Sequence, residues 1–186
     1  MLAVLYNARF MLNTAYYVPY VPVETLWTLY EQPACAILKD GKTTINFELF
    51  RLLRWAREDC DGLARFELVN APVWKGPSGH QAFDKIESKA GDVFGFYQGD
   101  KLQAVIILNV LSEPVSVEIP NLPVSGIKDA RALCSAKMLP DWGNAKNPPA
   151  SAWAPPYGYR KVEFTGKVVS VPANSLSVVH LNKMFD

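Results

Sequence analysis

Apolar residues recur at close to helical spacing over the first stretch of the chain, at Leu2, Leu5, Tyr6, Phe10, Leu12 and Tyr16, with Arg9 and Asn13 as polar interruptions. That spacing predicts a helix from Leu2 to about Tyr17, and Pro19 and Pro22 end it. Val23 to Tyr30 carries Thr25, Trp27 and Thr28 among apolar neighbours and predicts a short strand. Asp40-Gly41-Lys42 marks a tight turn. A second helix then follows, with Asn46 as its N-cap. Its Phe47, Leu49, Phe50, Leu52, Leu53 and Ala56 form a broad apolar face, while Arg51, Arg54, Arg57 and Glu58 turn to solvent.

Past Asp61-Gly62 the pattern changes to a period of two, or to short apolar runs bounded by turns. The predicted strands are Leu63 to Val69, Phe83 to Glu87, Asp92 to Tyr97, Leu102 to Leu111 and Val115 to Ile119. Asp129 to Ser135, Lys161 to Phe164, Val168 to Val171 and Leu176 to Leu181 complete the set. Gly99-Asp100 between two strong strands is a hairpin signal. Many short strands at turn-punctuated intervals predict an antiparallel β-sandwich. Residues 138 to 160 break the pattern with five of the chain's 14 prolines and predict a long, semi-rigid loop carrying Trp142, Trp153, Tyr157 and Tyr159.

The fold class read from this pattern is therefore mainly β. An α-β-α unit over residues 1–60 precedes an antiparallel β-sandwich over residues 61–186. A strand buried on both faces needs neighbouring strands and covering helices, so the first unit reads as part of something larger.

Composition adds exclusions. The 186 residues are 49% hydrophobic, enough for a substantial core. The 19 basic and 18 acidic residues are interspersed, which leaves no electrostatic footprint for nucleic acid or an anionic membrane. The longest apolar runs are of strand length, well short of a membrane-spanning helix. The first residues lack the charged, apolar and cleavage regions of a signal peptide, and nothing in the sequence assigns a compartment. Cys35, Cys60 and Cys134 are widely spaced, without a C-x-x-C pair, and read as small buried or half-buried thiols rather than as zinc ligands or a disulfide framework.

The order helix, W-x-x-Y-E strand, I-L-K-D-G-K loop, F-E-L-F-R-L-L helix, then a sandwich ending V-P-A-N-S-L-S-V-V-H-L resembles the C-terminal end of retaining glycoside hydrolases built on an eightfold β/α barrel. Arabinofuranosidases, xylosidases and related cellulase-superfamily enzymes share this order, with a β-sandwich after the last barrel helix. The resemblance covers nearly the whole chain and is one of pattern and element order. It implies that Leu2 to Tyr17 corresponds to the seventh barrel helix, Val23 to Tyr30 to the eighth strand, and Asn46 to Arg57 to the eighth helix.

Retaining hydrolysis uses two carboxylates roughly 5 to 5.5 Å apart. By the family pattern these belong to the fourth and seventh barrel strands, which no residue here matches. No catalytic residue is assigned, and the isolated chain is expected not to hydrolyse glycosides. Trp27 resembles the last-strand tryptophan that forms a sugar platform in many such barrels. Its indole face suits the C–H face of a sugar ring, and burial between barrel core and helix is the alternative. Trp142, Trp153, Tyr157 and Tyr159 combine stacking faces with nearby Asp141, Asn144 and Asn147. They could contact a saccharide, anchor the loop to the sandwich, or meet the missing barrel. Trp74 has the same ambiguity.

Other chemistries have no support. Lys75 to Gly79 lacks the ending of a phosphate loop, Asp59-x-Asp61 is too short for a calcium loop, and no G-x-S-x-G elbow is present. No metal and no cofactor is implied. Three readings of function stand. The first is an accessory, non-catalytic region of a glycoside hydrolase, supporting the barrel and contacting saccharide. The second is a stand-alone carbohydrate-binding module. The third is an interaction protein that pairs with another chain through residues 1–60.

Overall fold

A computed structural model describes residues 2–17, 41, 43–75, 87–135 and 157–186. The predicted strand Val23 to Tyr30 lies outside the described residues, as do Trp27, Trp142 and Trp153.

Two helices and eleven strands are described: α1 (Leu2–Tyr16), α2 (Ile45–Arg57), β1 (Gly62–Phe66), β2 (Val73–Lys75), β3 (Glu87–Lys89), β4 (Gly91–Gln98), β5 (Lys101–Asn109), β6 (Val115–Glu118), β7 (Asp129–Ser135), β8 (Tyr157–Lys161), β9 (Glu163–Thr165), β10 (Val168–Val171) and β11 (Ser175–His180). The fold is mainly β, as the strand pattern predicts. A six-stranded sheet runs β1-β4-β5-β11-β7-β8, a three-stranded sheet runs β6-β10-β9, and β2 pairs with β3. All these pairings are antiparallel.

Strand periodicity explains the layering. On β4 and β5, Phe94, Phe96, Ala104, Ile106 and Leu108 point to one face of the large sheet, where they meet Leu5, Ala8, Leu49 and Leu52 of the helices. Val93, Val105 and Ile107 point to the other face and meet Val169 and Val171 of the small sheet. Because the central strands are covered on both sides, Ala104 to Leu108 is continuously apolar where a half-exposed strand would alternate. β11 is buried along its whole length for the same reason. Its entry is fixed locally: the Ser175 hydroxyl donates to the Pro172 carbonyl at 2.6 Å, and Asn109 Nδ2 donates to the same oxygen at 2.9 Å. The β4–β5 hairpin turns at Gly99-Asp100, with Gly99 at φ +56°, where glycine carries no steric penalty.

Several expectations are corrected. Thr44, not Asn46, caps α2, its hydroxyl accepting from the Asn46 N–H at 3.2 Å. The helix starts earlier because Ile45 joins the buried face, with Trp55 further along, while Phe47 and Phe50 are only half-buried. In α1 the buried residues are Val4, Leu5, Ala8 and Leu12, and Tyr6, Phe10 and Tyr16 are exposed. The predicted strand from Lys161 to Phe164 is two strands that pivot at buried Val162, β8 and β9. Tyr157 and Tyr159 consequently sit on β8, an edge of the large sheet, and not in a loop. Cys60 and Cys134, by contrast, are free thiols as expected, the first half-buried and the second buried.

Candidate functional site

A cleft of about 300 Å³ opens where the end of α1 meets β1 and the β3–β4 junction. Its chemistry begins at Asp92. On β4 this residue falls in register with Phe94 and Phe96, on the face turned towards the helices, and it is only 4% exposed. A carboxylate at such a position is tolerated only with charged partners. Arg9 of α1 donates Nε to Oδ2, and Arg65 of β1 donates Nη2 to Oδ1 at 2.8 Å. Arg9 also donates Nη2 to the Lys89 carbonyl at 2.9 Å. Asp92 thus ties α1, β1 and β4 together at the cleft floor. Gly91 permits the close strand approach there, since a Cβ on it would stand 2.5 Å from the Leu108 carbonyl oxygen.

The mouth is aromatic. Tyr16 and Tyr17 form an edge-to-face pair with ring centroids 5.2 Å apart and planes at 74°, and both are exposed. Arg65, Glu67 and Lys89 complete the polar rim. With Asp92 the lining carries two cationic and two anionic side chains, and Arg9, bound to Asp92, adds a third cation.

Of the aromatic residues singled out in the sequence, Tyr157, Tyr159 and Trp74 are described, and none of these three lines the cleft. The structure brings Tyr157 and Tyr159 against the start of α2. The Tyr159 hydroxyl donates to Glu48 Oε2 at 2.6 Å, and its ring packs on Phe185 at a centroid distance of 4.8 Å. Burial, and then the Glu48 carboxylate, push the Tyr159 phenol well above its ordinary range. The Tyr157 hydroxyl donates to the Thr43 carbonyl at 3.4 Å. Trp74 is partly buried against the helix-side core. The C-terminal segment reinforces this region: Phe185 lies beside Trp55 and under the Arg51 guanidinium, and its N–H donates to Asp129. His180, beneath Trp55, has its pKa lowered by burial.

Sequence reasoning did not foresee the cleft. Its residues come from positions 9, 16–17, 65–68 and 89–92, which only the tertiary fold unites. The legible signal was a carboxylate at an inward position of an apolar strand, Asp92 among Phe94 and Phe96.

A second surface lies on α1. At about 100° per residue, Tyr6 and Phe10 fall on the side opposite Val4, Ala8 and Leu12. They are 67% and 52% exposed, whereas the other face is buried on the sheet.

No family profile matches the sequence, and no curated protein matches it. Among solved structures, the chain is similar to a family 51 α-L-arabinofuranosidase from Bifidobacterium longum, with 13% identity and a TM-score of 0.66 over 98% of this chain. It is also similar to a family 30 subfamily 8 xylanase from Clostridium acetobutylicum, with 11% identity and a TM-score of 0.52 over 95% of this chain. The fold is glycoside hydrolase-like. The chain spans 34% of the first enzyme's length and 38% of the second's. At these identities the likeness is one of fold alone.

Proposed function

We propose that this chain is a non-catalytic, accessory region of a glycoside hydrolase acting on arabinose- or xylose-containing polysaccharide, and that it supports a β/α barrel. The observation that carries the reading is α1. A helix that exposes large aromatic residues opposite its buried face suits a position covered on both sides. One side of α1 packs on the large sheet, and the opposite side offers Tyr6 and Phe10. A barrel face is the occupant we assign to that second side. The partial coverage of two glycoside hydrolases of similar fold supports the assignment, because about two thirds of each enzyme lies outside the matched region.

The cleft is no substitute for a catalytic centre. Glycoside hydrolysis needs one carboxyl group to protonate the leaving oxygen and a second to attack or activate water. Both oxygens of Asp92 are engaged by guanidinium groups. The purified chain should therefore release no p-nitrophenol from p-nitrophenyl α-L-arabinofuranoside or p-nitrophenyl β-D-xylopyranoside above the buffer rate. Turnover above buffer that follows the protein through purification overturns the non-catalytic reading.

A further inference from the structure

We propose that the cleft beneath Tyr16 and Tyr17 binds one neutral sugar ring, as a subsite separate from the surface that meets the barrel. The choice of sugar rests on the glycoside hydrolase reading above. The existence of the site rests on its own geometry.

Size comes first. About 300 Å³ is at the lower end of the roughly 300 to 1,000 Å³ typical of ligand pockets, which suits a single ring rather than a chain of rings. Charge comes second. Arg9 and Arg65 share Asp92, and Glu67 and Lys89 complete the polar lining, so a ring bearing both hydroxyl donors and hydroxyl acceptors finds partners of both kinds. Aromatic geometry comes third. Tyr16 and Tyr17 line the cleft as an exposed edge-to-face pair, and a tyrosine ring face accepts the C–H side of a sugar while the sugar's hydroxyls reach the polar rim.

Preorganisation completes the case. Arg65 is held by Asp92, which Arg9 secures from the other side. A guanidinium fixed in this way keeps its remaining N–H donors in one plane, and little freedom is lost when a ligand engages them. Neighbouring hydroxyls on a sugar ring match that planar donor set.

The test is a titration of the isotope-labelled chain, followed by amide NMR, with xylohexaose, α-1,5-arabinopentaose and inorganic phosphate as separate probes. The expected result is saturable shifts at Arg65 to Leu68 and at Lys89 to Asp92 with at least one of the two sugars and none with phosphate. Tyr17→Ala, at a residue 52% exposed, should weaken sugar binding about tenfold, equivalent to ~1.4 kcal/mol, with no change in thermal midpoint. Arg65→Lys, which keeps a cation beside Asp92, should also weaken it. Three outcomes overturn the proposal: no saturable shift with either sugar, shifts with phosphate alone, or undiminished sugar affinity in Tyr17→Ala. The barrel-support reading is tested separately through Tyr6 and Phe10, on a different part of α1, so failure here leaves that reading standing and the reverse also holds.

Discussion

Replacing Tyr159 by phenylalanine removes one oxygen and keeps the ring, which separates the two roles open to this residue. In the fold its hydroxyl donates to Glu48 at 2.6 Å, across the junction of β8 with α2. A hydrogen bond to a charged group contributes about 1.5 to 3 kcal/mol. The Glu48 side chain is 11% exposed and keeps its contact with Arg51 at 3.0 Å after the change, so its carboxylate is not stranded. The loss falls towards the lower end, about 1.5 to 2 kcal/mol. For a chain of this size each 1 kcal/mol moves the thermal midpoint by about 2 to 4 °C, giving a decrease of about 3 to 8 °C. Scanning calorimetry at neutral pH measures this, and a double-mutant cycle with Glu48→Gln should return a coupling of about 1 to 2 kcal/mol. Titration adds a second arm. The phenol is raised above its ordinary value of 10.0, so its contribution to stability is complete below pH 10 and lost as the pH rises above it. Wild type should therefore lose more stability above pH 10 than Tyr159→Phe does. An unchanged midpoint with zero coupling refutes the anchoring argument.

His180 has its pKa depressed by burial below the ordinary 6.5, so the stability linked to its neutral form is present above pH 6.5 and lost as the pH falls; NMR titration of the imidazole should give a value under 6.5, and one at or above it contradicts the burial argument. Leu49→Ala, at a fully buried position of α2, should cost about 3 to 5 kcal/mol in urea unfolding, whereas Phe10→Ser on the outer face of α1 should change the isolated chain's stability by less than about 0.5 kcal/mol. Gly91→Ala brings a methyl group against the Leu108 carbonyl, backbone that cannot swing aside, and should destabilise by about 1 to 3 kcal/mol; an unaltered unfolding midpoint counts against the close strand approach.

The large sheet was legible because covered strands leave a direct trace: Ala104 to Leu108 is apolar without interruption, and Gly99-Asp100 marks the one turn that joins β4 to β5. Helix faces were less so. In α1 apolar residues lie on opposite sides of the axis, and spacing alone does not say which side the sheet takes. The prolines at 148, 149, 155 and 156 gave Tyr157 and Tyr159 the look of a loop, although the edge of a sheet tolerates prolines just outside its strand. β2 is three residues long, too short for periodicity to register. The cleft was illegible for a different reason. Arg9, Arg65 and Asp92 are polar residues of ordinary local context, and their meeting depends on how α1 crosses the sheet edge.

The central claim is that the outer face of α1 belongs against a β/α barrel. The most direct measurement is the size and composition of the species that contains this chain in its own cells, obtained by native chromatography followed by intact mass analysis. The account predicts that a β/α barrel bearing two catalytic carboxylates accompanies the chain, joined to it or bound to it, and that Tyr6→Ser with Phe10→Ser impairs that association or the stability of the joined protein. Recovery of the 186-residue chain as a stable monomer with no barrel contradicts it.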